Sequence, residues 1–440
     1  MNYKGKRVVV MGLGRFGGGI GVSRYFVSHG ARVVVTDLSD EDTLKDSINQ
    51  LSGLPVEYHL GRHDINDFTS CDLVVVNPAV NRRDNPYIKA AMDAGVPVTS
   101  EMRLLLQRLP HREHTIGVTG SAGKSTVTTM IGHILKRMTG NSRAHAGGNL
   151  GGSLLNELNS IGADDWVVLE LSSFMLEDID DIGWSPHIAV ITSLSPNHLD
   201  RHDGFDAYLA AKRVILKHQH EDDKAYVGPG LRKLLAGYYC HVTEVDPETI
   251  PTIDLLLPGE HNKINACLAA LSVAAALGCD MQSCLHHLRD YPGLPHRLQY
   301  VGRINTAKCY NDSKSTIPES AKLAISSFEA GRVHVILGGY DKGVDLTELA
   351  QFAAQRCRAI YTIGSTGPEI HQAACSAQGA LAECVDCRQL DNAVSQAAAR
   401  FQPDDVLLLS PGCASWDQFD NYEHRGETFI SLINAMGRSQ

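Results

Sequence analysis

The sequence predicts an α/β protein of three domains with parallel-rich sheets. Short apolar, β-branched runs recur along the chain, each breaking into a glycine-dense loop and then into helical spacing, the alternation of a doubly wound sheet. Two of those loops are phosphate-binding patterns of different kinds, one near residue 12 and one near residue 120. The 440 residues also exceed what one or two domains hold, at about 150 residues each.

Composition narrows the function classes. With 43% hydrophobic and 20% charged residues, the chain is that of an ordinary globular protein. A net charge of -10 argues against nucleic acid or an anionic membrane as the main partner. Eleven cysteines are scattered without framework spacing, and Cys384 and Cys387 have no second pair at zinc-site distance, which reads as reduced thiols. The N-terminal stretch through Gly14 has no signal-peptide pattern, and no apolar run nears the roughly 18 residues a bilayer span needs. The expectation is a cytoplasmic protein without membrane insertion.

In the first domain, Arg7 to Met11 is a run of the kind buried in a parallel sheet. It leads into Gly12-Leu13-Gly14-Arg15-Phe16-Gly17, which matches G-x-G-x-x-G, and a second strand, Ala31 to Thr36, ends in Asp37, near where a ribose-binding acid sits in dinucleotide folds. Strands recur at Leu73–Val76 and Val96–Thr99 before a new unit begins. That is half a dinucleotide fold, so Gly12, Gly14 and Asp37 point to a pocket for the nucleotide-diphosphate portion of a substrate, not NAD. Close packing of helix on strand is the other reading of the same glycines. The loop Asn77 to Asn81 belongs to the same sheet edge.

The middle of the chain carries the sharper signal. Thr115 to Val118 is a short strand, the loop Thr119-Gly120-Ser121-Ala122-Gly123-Lys124-Ser125-Thr126 follows, and helical spacing resumes from Val127. Backbone N–H groups of such a loop cradle phosphates, Lys124 adds charge, and the Ser125 hydroxyl can reach Mg²⁺. The longer G-x-x-x-x-G-K-[ST] pattern would need glycine where Val118 stands, so this is a shorter variety. It predicts nucleoside triphosphate binding. A glycine-dense turn, Ala146 to Gly152, offers Asn149 to a ligand. A strand from Asp165 delivers Glu170 at its C-terminal end, and another, Ile188 to Thr192, runs toward His198. Both side chains are candidates to face the triphosphate as Mg²⁺ ligands or acid/base groups. Phe205 to Leu216 reads as an amphipathic helix with Lys212 at its centre, by composition a surface lysine. Asn262 and Asn265 open an alanine-rich helix, where asparagine is often a cap.

In the last third, a polar loop, Asn311 to Thr316, follows a short strand. Further strands, Val333–Leu337, Ala359–Ile363 and Asp405–Leu409, indicate a second doubly wound sheet, with loops Gly338–Gly343 and Ser410–Phe419 at strand ends. Taken singly, each loop is a plain strand-to-helix turn.

The ordered series TGSAGKST, LELSSF, NHLDRH with AAK after it, GEHNKIN, LPHR, NDSKST, LGGYDKG and SPGCASWDQF spans nearly the whole chain and closely resembles the Mur ligases, in particular their D-glutamate-adding branch. The resemblance implies a UDP-binding Rossmann-like domain (1–105), a central ATP-binding domain (106–296) and a C-terminal Rossmann-like domain that docks the amino acid (297–440). It implies a monomer that joins D-glutamate to UDP-N-acetylmuramoyl-L-alanine through an acyl phosphate, with ATP, two Mg²⁺ ions and a CO₂-derived carbamate on Lys212. By the same resemblance Lys124 holds the γ-phosphate within the loop of Gly120, Gly123, Ser125 and Thr126. Ser125 and Glu170 bind one Mg²⁺ and His198 a second, with carbamylated Lys212 as a metal-binding carboxylate. Asn262, Arg297 and Asp312 match ATP-contacting positions, and Asn149 matches one near the muramoyl-alanine end. Thr316, Lys342, Ser415 and Tyr422 match positions around the incoming glutamate. The chain departs from the family at Leu38, Ala122, Met175, Trp416 and Tyr422. The last two leave open whether D- or L-glutamate is taken.

Overall fold

Three sheets, each with helices between its strands, account for the β structure of the computed structural model, which describes all residues except 1, 15, 16, 79, 83, 141, 142, 196–201, 203, 236, 239 and 438–440. The first sheet holds β1 (Arg7–Met11), β2 (Arg32–Asp37), β3 (Val56–Leu60), β4 (Leu73–Val76) and β5 (Val98–Thr99), all parallel, in the order β3-β2-β1-β4-β5. Its apolar runs are buried on both faces. Val8, Val10, Val33 and Val35 enter one core and Val9, Met11, Val34 and Val74 the other, each fully buried side chain contributing about 1.5–3 kcal/mol. The strand order reverses between β1 and β4, so the loops after these two strands flank a crevice.

The second sheet comprises β6 (Thr115–Thr119), β7 (Ala144–Gly148), β8 (Trp166–Glu170), β9 (Ile188–Ile191), β10 (Lys224–Val227) and β11 (His241–Glu244), again all parallel, in the order β11-β10-β9-β6-β8-β7. Here β6 is central, and the ends of β8 and β9 lie on either side of its loop.

The expected glycine turn from Ala146 needs correction: residues 144–148 are strand, and the turn begins only at Asn149. Glycine is rare in strands, but here it is required by close packing. A Cβ on Gly147 would lie 2.5 Å from Leu154 Cγ, and one on Gly148 only 2.3 Å from the Glu170 carbonyl oxygen.

The third sheet contains β12 (Gln299–Ile304), β13 (Ala307–Asn311), β14 (Val333–Gly338), β15 (Ala359–Ile363), β16 (Glu383–Arg388) and β17 (Val406–Leu409), in the order β12-β13-β17-β14-β15-β16, with only β12 antiparallel to its neighbour. The chain divides into two compact units. One is Met1–Pro251 with Ile264–Leu288 and holds the first two sheets; the other is Thr252–Lys263 with Arg289–Gln440 and holds the third. Among the described residues no helix is long and apolar enough to cross a membrane.

Candidate active site

The first glycine loop is held by the acid that ends β2. Asp37 Oδ2 accepts from the backbone N–H groups of Leu13 (2.9 Å) and Gly14 (3.3 Å), and Oδ1 accepts from Ser39 N at 2.9 Å. Asp37 borders the crevice, with Oδ2 serving the glycine-loop backbone and Oδ1 the turn that follows β2. On the opposite side Asn77 Nδ2 donates to Gly12 O at 3.2 Å, and a Cβ on Gly12 would sit 3.0 Å from Asn77 Cβ. Glycine is needed there for both its φ of +90° and this approach.

The second loop is pinned in the same manner. Ser121 N donates to Ser193 O at 2.8 Å and Ala122 N to Ser193 Oγ at 3.0 Å, while the Thr192 hydroxyl donates to Ala122 O. A Cβ on Gly120 would fall 2.1 Å from Thr192 Oγ1, and one on Gly123 would fall 2.9 Å from Asn265 Oδ1. Asn265 therefore lies against the phosphate loop instead of capping its own helix. The helix Lys124–Thr139 starts immediately after Gly123, with Ser125 and Thr126 in its first turn, where N–H groups have no intrahelical acceptor. Lys124 Nζ lies over the loop, donating to Gly120 O (3.0 Å) and Ser121 O (3.2 Å).

Lys212 is not a surface lysine. It is 2% exposed, because Tyr208, Lys212 and Ile215 fall at i, i+4 and i+7 on the buried stripe of the helix Phe205–Lys217. That spacing was readable in the sequence. Its ammonium donates to Thr119 Oγ1 at 2.9 Å and lies 5.4 Å from the Tyr208 ring centroid. Burial pushes the amine down to about 7; the charge of Lys124 adds to the shift and Glu170 opposes it.

Glu170 is 1% exposed. Its Oε1 accepts from Asn149 Nδ2 at 2.9 Å, whereas its buried Oε2 has no hydrogen-bond partner. An unpaired buried carboxylate oxygen is costly unless a cation takes it. An unpaired carboxylate oxygen beside the Ser125-bearing helix start fits Mg²⁺, which takes one or two carboxylates plus phosphate oxygens instead of an all-protein cage. Among the described residues there is no cluster of three His, Cys, Asp or Glu able to hold an ion alone. His198 lies outside the described residues.

One cleft of about 1010 Å³ joins both loops: Gly12, Gly14, Asp37 and Asn77 line it at one end, Asn149, Lys124 and Lys212 at the other. The sequence reading missed several of its walls. Ser173 and Phe174 line the cleft and carry His202, whose Nε2 is 3.0 Å from Ser173 Oγ and whose ring stacks on Phe174. Glu101, also in the wall, has its carboxyl pushed up to about 7 by burial.

The second unit has its own ensemble at the ends of β13, β14 and β17. Buried Asp312 accepts from Ser410 Oγ (2.7 Å) and Leu298 N (3.1 Å); burial raises its carboxyl pKa, and hydrogen bonds from Ser315, Ser410 and Leu298, then the charge of Arg297, oppose that shift. Asn262 Nδ2 donates to Pro258 O at 2.7 Å, closing the turn before its helix. Thr316 N donates to Lys314 O at 2.9 Å, and the Tyr422 ring holds Lys314 Nζ 5.4 Å from its centroid. Ser415 is buried, its carbonyl accepting from the N–H groups of Gln418 and Phe419. Lys342 Nζ lies 4.7 Å from the Trp416 ring centroid.

Beneath these loops stands a residue not foreseen from sequence, Arg425, with 0% exposure. It donates to Ser313 Oγ and O and to the carbonyls of Cys413 and Ala414, at 2.9–3.1 Å.

A strand–glycine loop–helix unit whose lysine shares one cleft with a buried near-neutral lysine and with a second glycine loop, beside a buried acid with an unpaired oxygen, has the make-up of an α/β nucleotide-dependent enzyme. The sequence matches three family models: the Mur ligase MurD-like N-terminal domain over residues 6–100, the Mur ligase middle domain over 118–229, and the Mur ligase glutamate ligase domain over 296–413. It is 34% identical to the UDP-N-acetylmuramoylalanine–D-glutamate ligase of Koribacter versatilis, over 100% of both chains. It is 35% identical to the enzyme of that name from Geotalea uraniireducens, over 99% of both. Among solved structures, the fold is similar to UDP-N-acetylmuramate-alanine ligase from Thermotoga maritima, with a TM-score of 0.58 and 20% identity over 98% of this chain and 99% of that one. It is also similar to a MurF ligase from Acinetobacter baumannii, with a TM-score of 0.55 and 16% identity over 97% and 93%. The chain belongs to the Mur ligase family, ATP-dependent, ADP-forming ligases of peptidoglycan synthesis that use ATP and Mg²⁺.

Proposed function

We propose that this chain joins D-glutamate to UDP-N-acetylmuramoyl-L-alanine in the cytoplasm, with residues 1–105 holding the UDP portion, 106–296 the ATP and 297–440 the amino acid. The observation that carries the reading is that Lys124 and Lys212, with Glu170 behind them on Asn149, share one cleft with the first glycine loop. A substrate lying along that cleft with its nucleotide at Gly12 and Gly14 brings its far end, beside Asn149, toward the phosphate-loop lysine. Its carboxylate then attacks the γ-phosphate of ATP, giving an acyl phosphate and ADP. The amine of glutamate attacks the acyl carbon, and phosphate leaves.

Both steps gather negative charge, which fixed cations stabilise without reorganisation. Lys124, drawn from its loop carbonyls, meets the γ-phosphate, and Gly120, Gly123, Ser125 and Thr126 orient it. Glu170 and the Ser125 hydroxyl hold Mg²⁺, which supplies charge neutralisation on the transferring phosphoryl group. Lys212 is the site of the carbamate: only a neutral amine captures CO₂, and an amine lowered to about 7 is substantially neutral at physiological pH. On the family resemblance, it and His198 are assigned to a second Mg²⁺ ion. Asn262, Arg297 and Asp312 are assigned to ATP on the family resemblance, and Thr316, Lys342, Ser415 and Tyr422 to glutamate.

The test is ADP release with UDP-N-acetylmuramoyl-L-alanine and Mg-ATP, comparing D-glutamate, L-glutamate and no amino acid, with products weighed. Turnover with D-glutamate and a product heavier by one glutamyl unit is expected. Turnover with L-glutamate alone reverses the stereochemical assignment, and none with either removes the substrate assignment.

A further inference from the structure

The third sheet presents three exposed side chains, Tyr340, Lys342 and Trp416, on a mount in which the surrounding backbone is tied down. The loops after β14 and β17 are bridged by Tyr340 N donating to Ala414 O at 2.9 Å. Arg425 holds the carbonyls of Cys413 and Ala414 from below. On the far side of Trp416, Asp417 Oδ2 accepts from Ser365 N at 2.8 Å, and Asp341 Oδ1 accepts from Gly343 N at 2.7 Å, closing the turn that carries Lys342. Trp416 is thus flanked by pinned residues on both sides, while it is itself 61% exposed and Tyr340 41%.

The indole is not idle in this position. Its ring centroid lies 5.5 Å from that of Tyr340 and 4.7 Å from Lys342 Nζ. Among the described residues no carboxylate pairs with Lys342, so the ring face is what localises an otherwise mobile ammonium. A lysine loses much rotamer freedom on fixing its charge, and pre-paying that cost strengthens binding of an anion.

We infer that Trp416 is a positioning residue that holds Lys342 ready for a carboxylate of the incoming amino acid. The inference rests on the ligase reading above. The π-face, not apolar bulk, supplies the effect: Phe at this position preserves it and Met, similar in volume but without a ring, does not. The high exposure of Trp416 means either substitution leaves the fold intact.

The experiment measures ADP release by the full chain with UDP-N-acetylmuramoyl-L-alanine and Mg-ATP saturating and glutamate varied, for wild type, Trp416→Phe and Trp416→Met, alongside thermal melts. The expected result is a glutamate KM raised about fivefold in Trp416→Met and within about twofold of wild type in Trp416→Phe, with kcat and the KM for ATP unchanged in both. Equal glutamate KM values in the Met and Phe variants, or a parallel rise in the KM for ATP, overturn the positioning role while leaving the ligase reading standing. Absence of wild-type turnover with either enantiomer of glutamate overturns both.

Discussion

Lys212 and Arg425 are equally hidden from solvent, and their surroundings treat them in opposite ways. Arg425 meets five acceptor contacts at 2.9–3.1 Å, and although burial pushes its guanidinium down to about 10 it stays charged at neutral pH. Lys212 makes one hydrogen bond, to a hydroxyl, and its amine falls to about 7. A buried cation with its donors satisfied is a structural fastener; one left short of acceptors is half-way to losing its proton and is available for chemistry.

The comparison breaks most visibly at Lys212. Replacement by Met is expected to reduce ADP release by about 10⁴-fold while raising neutral-pH stability by about 2 kcal/mol, since the cost of burying an amine that must stay charged or give up its proton disappears. The pH dependence follows from the direction of the shift. The unfolded chain holds the proton up to about 10.5 and the folded chain only to about 7, so stability rises with pH across that window, by up to about 1.4 kcal/mol per unit. It is lost again as pH falls toward 7. Denaturant melts at pH 7 and 9 would show a flatter profile in Lys212→Met; an unchanged profile would mean the amine titrates normally.

Arg425→Met is the converse case. It strands the carbonyls of Ser313, Cys413 and Ala414, and a cost of about 3 kcal/mol is expected in the unfolding of the third-sheet unit. Lysine should recover only part of it, because it lacks the planar fork. A melt unshifted from wild type would contradict the fastener role.

The smallest effect is expected at Asp37. Asn there keeps the shape but weakens the charge-assisted bonds to Leu13 and Gly14, loosening the first glycine loop by about 1 kcal/mol. A KM for the UDP substrate raised about fivefold, with that for glutamate unmoved, would show it. Unchanged binding would place the loop's rigidity elsewhere.

What could be read in the sequence divides along the same line. The phosphate loop was legible because strand, glycines, lysine and helix are contiguous, and the loop does lie at the end of β6. Lys212 and Arg425 look alike in composition to any surface cation; only the stripe Tyr208–Lys212–Ile215 hinted at burial of the first, and the partners of the second come from segments about 10 and about 110 residues away. Asp37 stood at the position of a ribose-binding acid, but the sequence did not show that one of its oxygens also fastens the glycine loop it borders. Strands β3, β7, β10, β11, β12 and β16 went unread because they are short edge strands or mixed in composition, and β7 is glycine-rich for packing reasons that only Leu154 and Glu170 explain.

The tether beneath residues 413 and 414 has an evolutionary consequence. Because Arg425 grips backbone carbonyls and no side chain in that loop, the identity of the residue displayed two positions further on is decoupled from the integrity of the mount. Position 416, 61% exposed, can therefore take aromatic or aliphatic side chains without threatening foldedness, so the surface displayed there is free to change by single steps, each tolerable on its own.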